Sequence, residues 1–577
     1  MPTLDWIGKQ AVVNHQRQVP FHLLRRVPEL SVGDLGNGNL LVEGDNLTAL
    51  KALLPYYAGK IKCIYIDPPY NTGNENWVYN DNVNAPIMRD WLGKVVGKEA
   101  EDLSRHDKWL CMMYPRISLL HKFLREDGVL IVSIDDHELA NLGLLLKEIF
   151  GENNLIATLV WEKGKKGDAK FFSVTHEYVI VAAKSKTTLI ERNTKWRKRK
   201  EGIDEALENY RLLRERQASN HEIIRQEMMR WYRSLPKGHP AKNHKHYNWS
   251  DDRGLYFPDN FHGPDDGRES RPRYDIIHPV TGRPCAKPST GWRWDEERTK
   301  RALAEDPARI HFGPDENTIP CRKSYLAEVT EEPFQSVFYK DGRAATLELE
   351  QMVGPGKFAF PKDSEVLAEL IDLVCEKDDF ILDSFAGTGT TGHAILKLNL
   401  RDGGHRRFIL VELEEMICRE VAWERLKKAI EGYVPFRRRG RGRDEPVPGM
   451  GGSFSYVRLD LSLFDETGNI RPQVKFDDLA AHVYFTETGE PLPETASGES
   501  PLIGVHNGTA VYLLYNGVLA DKKANGGNVL TRAVLASLQP HFGAKVIYGT
   551  GCRLGEERLR RENIKFRQIP YQVIKVD

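Results

Sequence analysis

The strongest constraint on how this chain can fold is a series of short, Val- and Ile-rich runs separated by helix-length stretches. Between Asn39 and Lys184 the runs are NLLVEG, IKCIYID, GVLIVSID and YVIVAAK, and segments such as Asn46–Tyr57, Trp109–Arg125 and His137–Phe150 lie between them with helical character. Runs this short and apolar, bounded by Gly or Asp, suit strands buried on both faces, and parallel neighbours need crossover helices. The pattern then breaks. Residues 186–345 are polar, basic and aromatic, with little strand periodicity beyond a predicted helix near Asp204–Tyr232. It resumes at Asp363 with a helix to Cys375, the strand FILDSF, a helix from Thr390 to Leu398, the strand RRFILVEL and another helix. One α/β domain with a doubly wound, mostly parallel sheet is therefore expected, cut in two by a long insertion. Such an insertion sits most easily beyond the strand C-termini, where these folds bind ligands.

The expected divisions are an N-terminal extension (1–36), a first half of the α/β domain (37–185), the insertion (186–345), a second half (346–433), a Pro/Gly/Arg-rich linker (434–452) and a small separate C-terminal α/β unit (453–577). In that last unit strands are predicted near Ala510–Tyr515 and Lys545–Tyr548, with helices near Leu530–Leu538 and Glu556–Glu562. A chain of 577 residues is too long for one compact core, in keeping with several domains.

Bulk charge does not announce a partner, since 82 Lys and Arg balance 82 Asp and Glu. Local charge does. Lys184–Lys245 holds 17 basic against 8 acidic residues, and a second basic run, FRRRGRGR, spans Phe436–Arg443. Patches of this kind commonly face phosphates, although a solvated helix face or a linker has the same composition. No run approaches the ~18 apolar residues of a membrane span, and the N-terminus lacks the basic-then-apolar pattern of a secretory signal. The seven scattered cysteines form no CxxC pair, which argues against a zinc ribbon or a disulfide framework and fits a reducing cytoplasm.

Two motifs carry chemistry. The first is Asp67-Pro68-Pro69-Tyr70, directly after the apolar strand KCIYI. An Asp at the carboxyl end of a buried parallel strand points into the crevice where substrates bind. The two prolines fix the backbone and remove two N–H donors, leaving a carboxylate and carbonyls, an acceptor-only surface suited to an exocyclic amine. Tyr70 adds an aromatic face on which an extruded base can stack.

The second motif is Leu382-Asp383-Ser384-Phe385-Ala386-Gly387-Thr388-Gly389-Thr390-Thr391, between the strand FIL and a helix. Its glycines allow a tight turn and close approach to a ligand at a helix N-terminus. A phosphate-binding P-loop would need Lys-Ser/Thr after the second Gly, so ATP is disfavoured. Glu412 ends the next strand, where an acidic residue typically accepts hydrogen bonds from ribose hydroxyls. Together these read as a nucleoside cofactor site without a pyrophosphate.

With both motifs in view, the sequence resembles the amino-methylating DNA methyltransferases in which the DPPY motif precedes the FxGxG motif, and most of all the modification subunits of type III restriction-modification systems. The resemblance rests on LVEGDNLTALKALLPYYAGKIKCIYIDPPYNTGNENWVYND, CMMYPRISLLHKFLREDGVLIVSIDDHELANLGLLLKEIFG, THEYVIVAAKS, FAFPKDSEVLAELI and ILDSFAGTGTTGHAILKLN with RRFILVELEE. It covers both halves of the α/β domain and is weak over the insertion, as expected of a target recognition domain.

The resemblance implies a Rossmann-like methyltransferase sheet, S-adenosylmethionine as cofactor, no metal, and transfer of a methyl group to adenine N6 in double-stranded DNA after base flipping. Asp67, Pro68, Pro69 and Tyr70 would hold the flipped base, with Asp67 and the Pro68 carbonyl accepting the amine protons. Asp383, Phe385, Ala386, Gly387, Thr388 and Gly389 would line the cofactor, Glu412 would bind its ribose, Asp45 and Asn46 would approach its adenine, and Lys362 would pack near its methionine end. Thr388 departs from the Ser of many relatives but keeps the hydroxyl. N4-cytosine methylation shares this chemistry, but Ser commonly replaces the Asp there, so Asp67 favours adenine. A non-catalytic DNA-binding specificity subunit is the alternative of a different class. A helicase-nuclease restriction subunit and a homodimer are the implied partners.

Weaker features remain. Asp135 and Asp136 follow the strand LIVSI and read as a helix-start pair before His137–Phe150. His239, His244 and His246 with Trp249 lack metal-site spacing and read as a polar loop. Trp231, Tyr232, Trp249, Trp292, Arg293 and Trp294 suit nucleic-acid contact and a small core equally.

Overall fold

The computed structural model describes residues 4–34, 38–72, 104–164, 169–217, 220–263, 271–436, 445–493, 500–515 and 527–569. The chain divides into two compact units: Met1–Thr194 with Gln335–Asp577, and Lys195–Phe334.

The larger unit is built on a ten-stranded sheet. Its strands are β1 (His22–Arg26), β2 (Leu40–Glu43), β3 (Ile61–Ile66), β4 (Leu124–Ile134), β5 (Leu155–Glu162), β6 (His176–Ala183) and, after three strands of the other unit, β10 (Val337–Tyr339), β11 (Phe380–Asp383), β12 (Arg407–Glu412) and β13 (Ser455–Ser462). They lie in the order β1-β13-β2-β12-β11-β3-β4-β6-β5-β10. From β13 to β4 the pairings are all parallel, and β6 runs antiparallel between β4 and β5. All six residues of β3 are buried, so the sequence shows an unbroken apolar run there rather than alternation.

Helices α1 (Asn46–Tyr57), α2 (Arg105–Phe123) and α3 (Leu139–Phe150) follow β2, β3 and β4, close to the segments predicted for them. Asp45 caps α1 by accepting from the Thr48 amide at 2.8 Å, and Ser104 and Asp107 close a capping box on α2. The insertion contributes α4 (Ile203–Gln217), α5 (His221–Ser234) and α6 (Glu296–Ala304); the chain returns through α7 (Arg343–Val353), α8 (Ser364–Val374), α9 (Thr390–Asp402) and α10 (Trp423–Glu431).

The connectivity places a switch point in the middle of the sheet. From β3 the chain moves to β4 on one side, whereas from β11 it moves to β12 on the other, and β3 and β11 are hydrogen-bonded neighbours. Helices leaving such a pair on opposite sides open a crevice at the carboxyl ends of the strands.

Several divisions fall elsewhere than the sequence suggests. The extension before residue 37 supplies β1, which pairs with β13. The expected C-terminal unit gives its first strand, β13, to the large sheet, where it lies parallel to β2. Its remaining residues build a second sheet of β14 (Leu502–His506), β15 (Thr509–Leu513), β16 (Ala544–Gly549) and β17 (Ile564–Gln568), and α11 (Phe476–Thr488) packs on α1. The two share one apolar core, with Val483 and Val511 in the same cluster as Leu50 and Leu53. The insertion is narrower than 186–345: β10 lies beside β5 in the large sheet.

The smaller unit carries more strand than its composition suggests. β7 (Trp249–Asp251), β8 (Gly254–Asp259) and β9 (Cys321–Tyr325) form an antiparallel sheet with the two-residue strand Ile310–His311. The one helix expected near Asp204–Tyr232 is two, α4 and α5, separated at Asn220, which caps α5.

Candidate active site

Asp67 follows the last residue of β3, so its side chain leaves the sheet at the crevice. Lys362, two residues before α8, places its ammonium 2.9 Å from Asp67 Oδ1. The same ammonium donates to the Tyr70 hydroxyl at 2.7 Å and lies 3.3 Å from Glu177 Oε2, while Tyr70 donates to Glu177 at 3.1 Å. Lys163, just beyond β5, reaches Glu177 Oε2 at 2.6 Å. Asp67, Lys362, Glu177 and Lys163 thus form a chain of alternating charge, with the tyrosine hydroxyl bonded to its two middle members.

Burial sets their charge. It raises the Asp67 carboxyl, opposed by the adjacent Lys362. It would raise Glu177 too, but the two lysines outweigh it and hold this carboxyl below its ordinary value. Burial works against the Lys362 cation, yet Asp67 and Glu177 overcompensate and hold it above the usual lysine range. Lys163 is lowered by burial and by Lys362.

The backbone of the DPPY turn is pinned as well. The Trp109 indole donates to the Pro69 carbonyl at 2.7 Å. Asn71 adopts the left-handed conformation (φ 59°), and its amide donates to the Arg105 carbonyl and to Glu138, a fully buried carboxylate that also engages His106 at 2.7 Å.

The glycine loop sits at the end of the adjacent strand. Asp383 accepts from the Phe385 amide at 3.0 Å and from the Thr391 hydroxyl at 2.6 Å. Burial pushes its carboxyl up to about 7 despite those two donors. Gly387 and Gly389 are both left-handed (φ 51° and 72°), and Gly389 is the residue from which α9 begins. The Gly387 amide donates to Glu412 Oε2 at 2.7 Å, and the Glu414 amide to Glu412 Oε1 at 2.9 Å, so Glu412 anchors the turn. Ala386 donates to the Val411 carbonyl at 3.1 Å. Beneath the loop, the wholly buried Arg425 donates to the Thr388 and Thr390 hydroxyls at 2.9 and 2.7 Å and to Glu348 at 2.9 Å.

The two strand ends line one pocket, with Asp67 and Lys362 on one side and Asp383, Phe385, Gly387 and Thr388 on the other. Ala386 also lines it. Asp45 and Asn46 stand differently. Asp45 takes the Thr48 amide and hydroxyl at 2.8 Å and Arg116 at 3.3 Å. Asn46 is buried; its amide donates to the Ser384 carbonyl at 3.2 Å and its oxygen accepts from Arg116. Asn46 ties the start of α1 to the glycine loop, and Asp45 ties it to Arg116.

A family model described as DNA methylase, for N6 and N4 enzymes, matches residues 61–423. The chain belongs to this family. The match runs from the first residue of β3 to the start of α10 and so takes in both strand ends. Over 432 residues the chain is 34% identical to the type III restriction-modification enzyme EcoP15I Mod subunit of Escherichia coli, covering 72% of this chain and 64% of that one. It is 31% identical to the EcoPI Mod subunit of Escherichia phage P1, with the same coverage of each. It is 29% identical to the type II methyltransferase M.KpnI of Klebsiella pneumoniae over 65% of this chain and 81% of that one. The chain thus spans somewhat less than two thirds of each of these two Mod subunits.

Several residues around these two strand ends escape sequence reasoning: Glu177, Lys163, Asn71, Glu138, Trp109 and Arg425. Glu177 left a trace, as the charge at the head of the otherwise apolar run EYVIVAA. Asp135 caps the turn before α3 by accepting from the His137 amide at 2.9 Å, and Asp136 accepts from Tyr178 at 2.8 Å. In the smaller unit His244 bonds the Glu201 carbonyl, His239 caps a short helix and His246 packs on Phe257. Tyr232 and Trp292 belong to small apolar cores there, with Trp231 and Trp294 packed against them. Trp249 is covered by the Arg225 guanidinium at 3.4 Å. Of the second basic run only Phe436 lies within the described residues. No helix among the described residues is long and apolar enough to cross a membrane.

Proposed function

We propose that this protein transfers a methyl group from S-adenosylmethionine to adenine N6 in duplex DNA, as the modification and specificity subunit of a cytoplasmic restriction-modification system. The observation that carries the reading is the shared cavity at the switch point, with an acceptor-rich turn on β3 facing a glycine loop on β11. The donor set fits the cofactor. Asp67, Asp383 and Glu412 cluster at these strand ends, and the Gly387 amide is taken by Glu412, which suits a cationic, hydroxyl-bearing nucleoside and repels phosphates. When bound, S-adenosylmethionine supplies a methyl group already activated on a sulfonium, so positioning provides most of the catalysis.

The chain's own residues do the rest. An adenine amine is unreachable within the base stack, so the base is extruded into the cavity. Tyr70, its hydroxyl fixed by Lys362 and Glu177, offers the ring on which the base stacks. Asp67 and the Pro68 carbonyl accept the two amine hydrogens, which aims the nitrogen lone pair at the methyl carbon and disperses the positive charge that develops on nitrogen; as the N–C bond forms and the C–S bond breaks, one of these hydrogens leaves as a proton by way of Asp67. Phe385, Ala386, Gly387, Thr388 and Gly389 line the cofactor, Asp383 balances its charge and Glu412 takes its ribose. Asp45 and Asn46 act on the adenine end through the position of α1 and the loop.

Residues 195–334 recognise the target sequence, and a helicase-nuclease subunit and a second copy of the chain are the expected protein partners. The carboxylate at position 67 supports adenine over cytosine N4. The test is incubation with tritiated S-adenosylmethionine and plasmid DNA, followed by analysis of the modified base. N6-methyladenine is expected, with none from Asp67→Ala; N4-methylcytosine would overturn the specificity, and no incorporation the whole reading.

A further inference from the structure

A charged pair outside the two motifs, buried Glu177 with half-buried Lys163, has so far been given no role beyond fixing the Tyr70 hydroxyl. Their geometry supplies one. Lys362 has three N–H donors, and three protein acceptors surround it: Asp67 Oδ1 at 2.9 Å, the Tyr70 hydroxyl at 2.7 Å and Glu177 Oε2 at 3.3 Å. Its contact with Asp67 is an ion pair, so Lys362 acts on that carboxylate through charge. Its charge, and the orientation it imposes on both groups that face the base, are what it contributes. Glu177 in turn is the group that places Lys362. It bonds the lysine and the Tyr70 hydroxyl together, and it is itself balanced by Lys163 at 2.6 Å.

We infer that Glu177 and Lys163 are positioning residues for the methyl-transfer step: an ion pair at the ends of β6 and β5 that locks Lys362 onto Asp67 and Tyr70 and sets the charge on Asp67. The inference deepens the functional reading and rests on it. Asp67 accepts from the amine only when ionised, so its proton affinity bounds activity on the acid side. The charged and titratable groups that act on it are Lys362 before α8, Glu177 on β6, Lys163 after β5, Tyr65 on its own strand, Tyr70 in the turn and Asp383 on β11. Glu177 adds negative charge and makes Asp67 harder to ionise, while Lys163 adds positive charge and makes it easier. The two members of one pair therefore act on the same carboxyl with opposite sign, which a merely structural role would not produce.

The experiment is the single-turnover methylation rate of plasmid DNA against pH for the full chain and four variants. Glu177→Gln is expected to slow the step roughly tenfold at its optimum and to move the acid limb down by about half to one pH unit, while Lys163→Met moves it up by a similar amount. Glu177→Asp and Lys163→Arg keep the charges and should leave the limb in place. Equilibrium dialysis with labelled S-adenosylmethionine should give affinities within about threefold of wild type for every variant, which also reports folding. Should Glu177→Gln fail to fold, Lys163→Met carries the same test with the opposite sign. Acid limbs that superimpose on wild type, or that move in one direction for both charge-removing variants, overturn the inference while leaving the functional reading standing. A wild-type chain that transfers no methyl group brings down both.

Discussion

Two carboxylates stand at the ends of neighbouring strands, and their surroundings differ in kind. Asp67, after β3, is held by an ion pair with Lys362 inside a four-charge cluster drawn from distant parts of the chain. Asp383, at the end of β11, is held by the Phe385 amide and the Thr391 hydroxyl of its own loop, and burial leaves it near neutrality at about 7. The first site is built to keep a charge in place; the second is built to hold a backbone shape, with charge adjusted by what binds. Neighbouring carboxyls in one cavity acquire separate tasks through such differences in environment.

Changes that break this division should be felt in order of how much chemistry each end carries. The largest effect is expected from Asp67→Ala, which should lower single-turnover methyl transfer by ~10³-fold while leaving cofactor affinity nearly unchanged. Comparable loss of cofactor affinity would mean that the β3 end holds the cofactor, and the contrast would fail.

Next comes the support under the β11 end. Arg425→Met removes the buried donor to two threonine hydroxyls and one of the two cations on Glu348, which keeps Lys397 at 2.6 Å; this should cost about 1–3 kcal/mol of stability in denaturant unfolding and weaken cofactor binding more than it slows transfer at saturating cofactor. Trp109→Phe leaves the Pro69 carbonyl without its donor, at a cost of about 1–2 kcal/mol, and should slow transfer at saturating cofactor. An effect confined to cofactor affinity would tie Trp109 to the wrong end.

The smallest effect is in pH dependence. Asp383 titrates at about 7 in the folded chain against an ordinary 3.8, so the folded state favours its protonated form. Its contribution to stability is complete below pH ~4 and is lost as pH rises through 7. Binding a cation there requires the ionised form, so cofactor affinity should strengthen between pH 6 and 8. Asp383→Asn should flatten that slope in a titration calorimetry series, and an unchanged slope would assign it to another group.

The sheet itself was legible because its signals are local. Apolar runs such as IKCIYI report burial on both faces, and the DPPY turn and the FAGTG loop are contiguous, with backbone demands that only a few residue types meet. Glu412 was legible for the same reason, at the end of the strand next after the glycine loop, although its hydrogen bond to Gly387 was not. Asn46 was read as approaching the cofactor adenine; that its amide donates to Ser384 and its oxygen accepts from Arg116 is visible only once α1 is docked.

Taken alone, then, the order of residues determined six of the ten strands of the large sheet, the two turns and which side chains stand at their ends, since these depend on neighbours a few positions away. Tertiary structure alone decided that β3 and β11 lie side by side, that β13 returns to the large sheet, and that Lys362 meets Tyr70 from 292 positions away and Glu177 from 185. Ion pairs across such separations leave no periodicity in a sequence. Their partners are chosen by which groups must share a dry cavity, where an unpaired charge is too costly to remain.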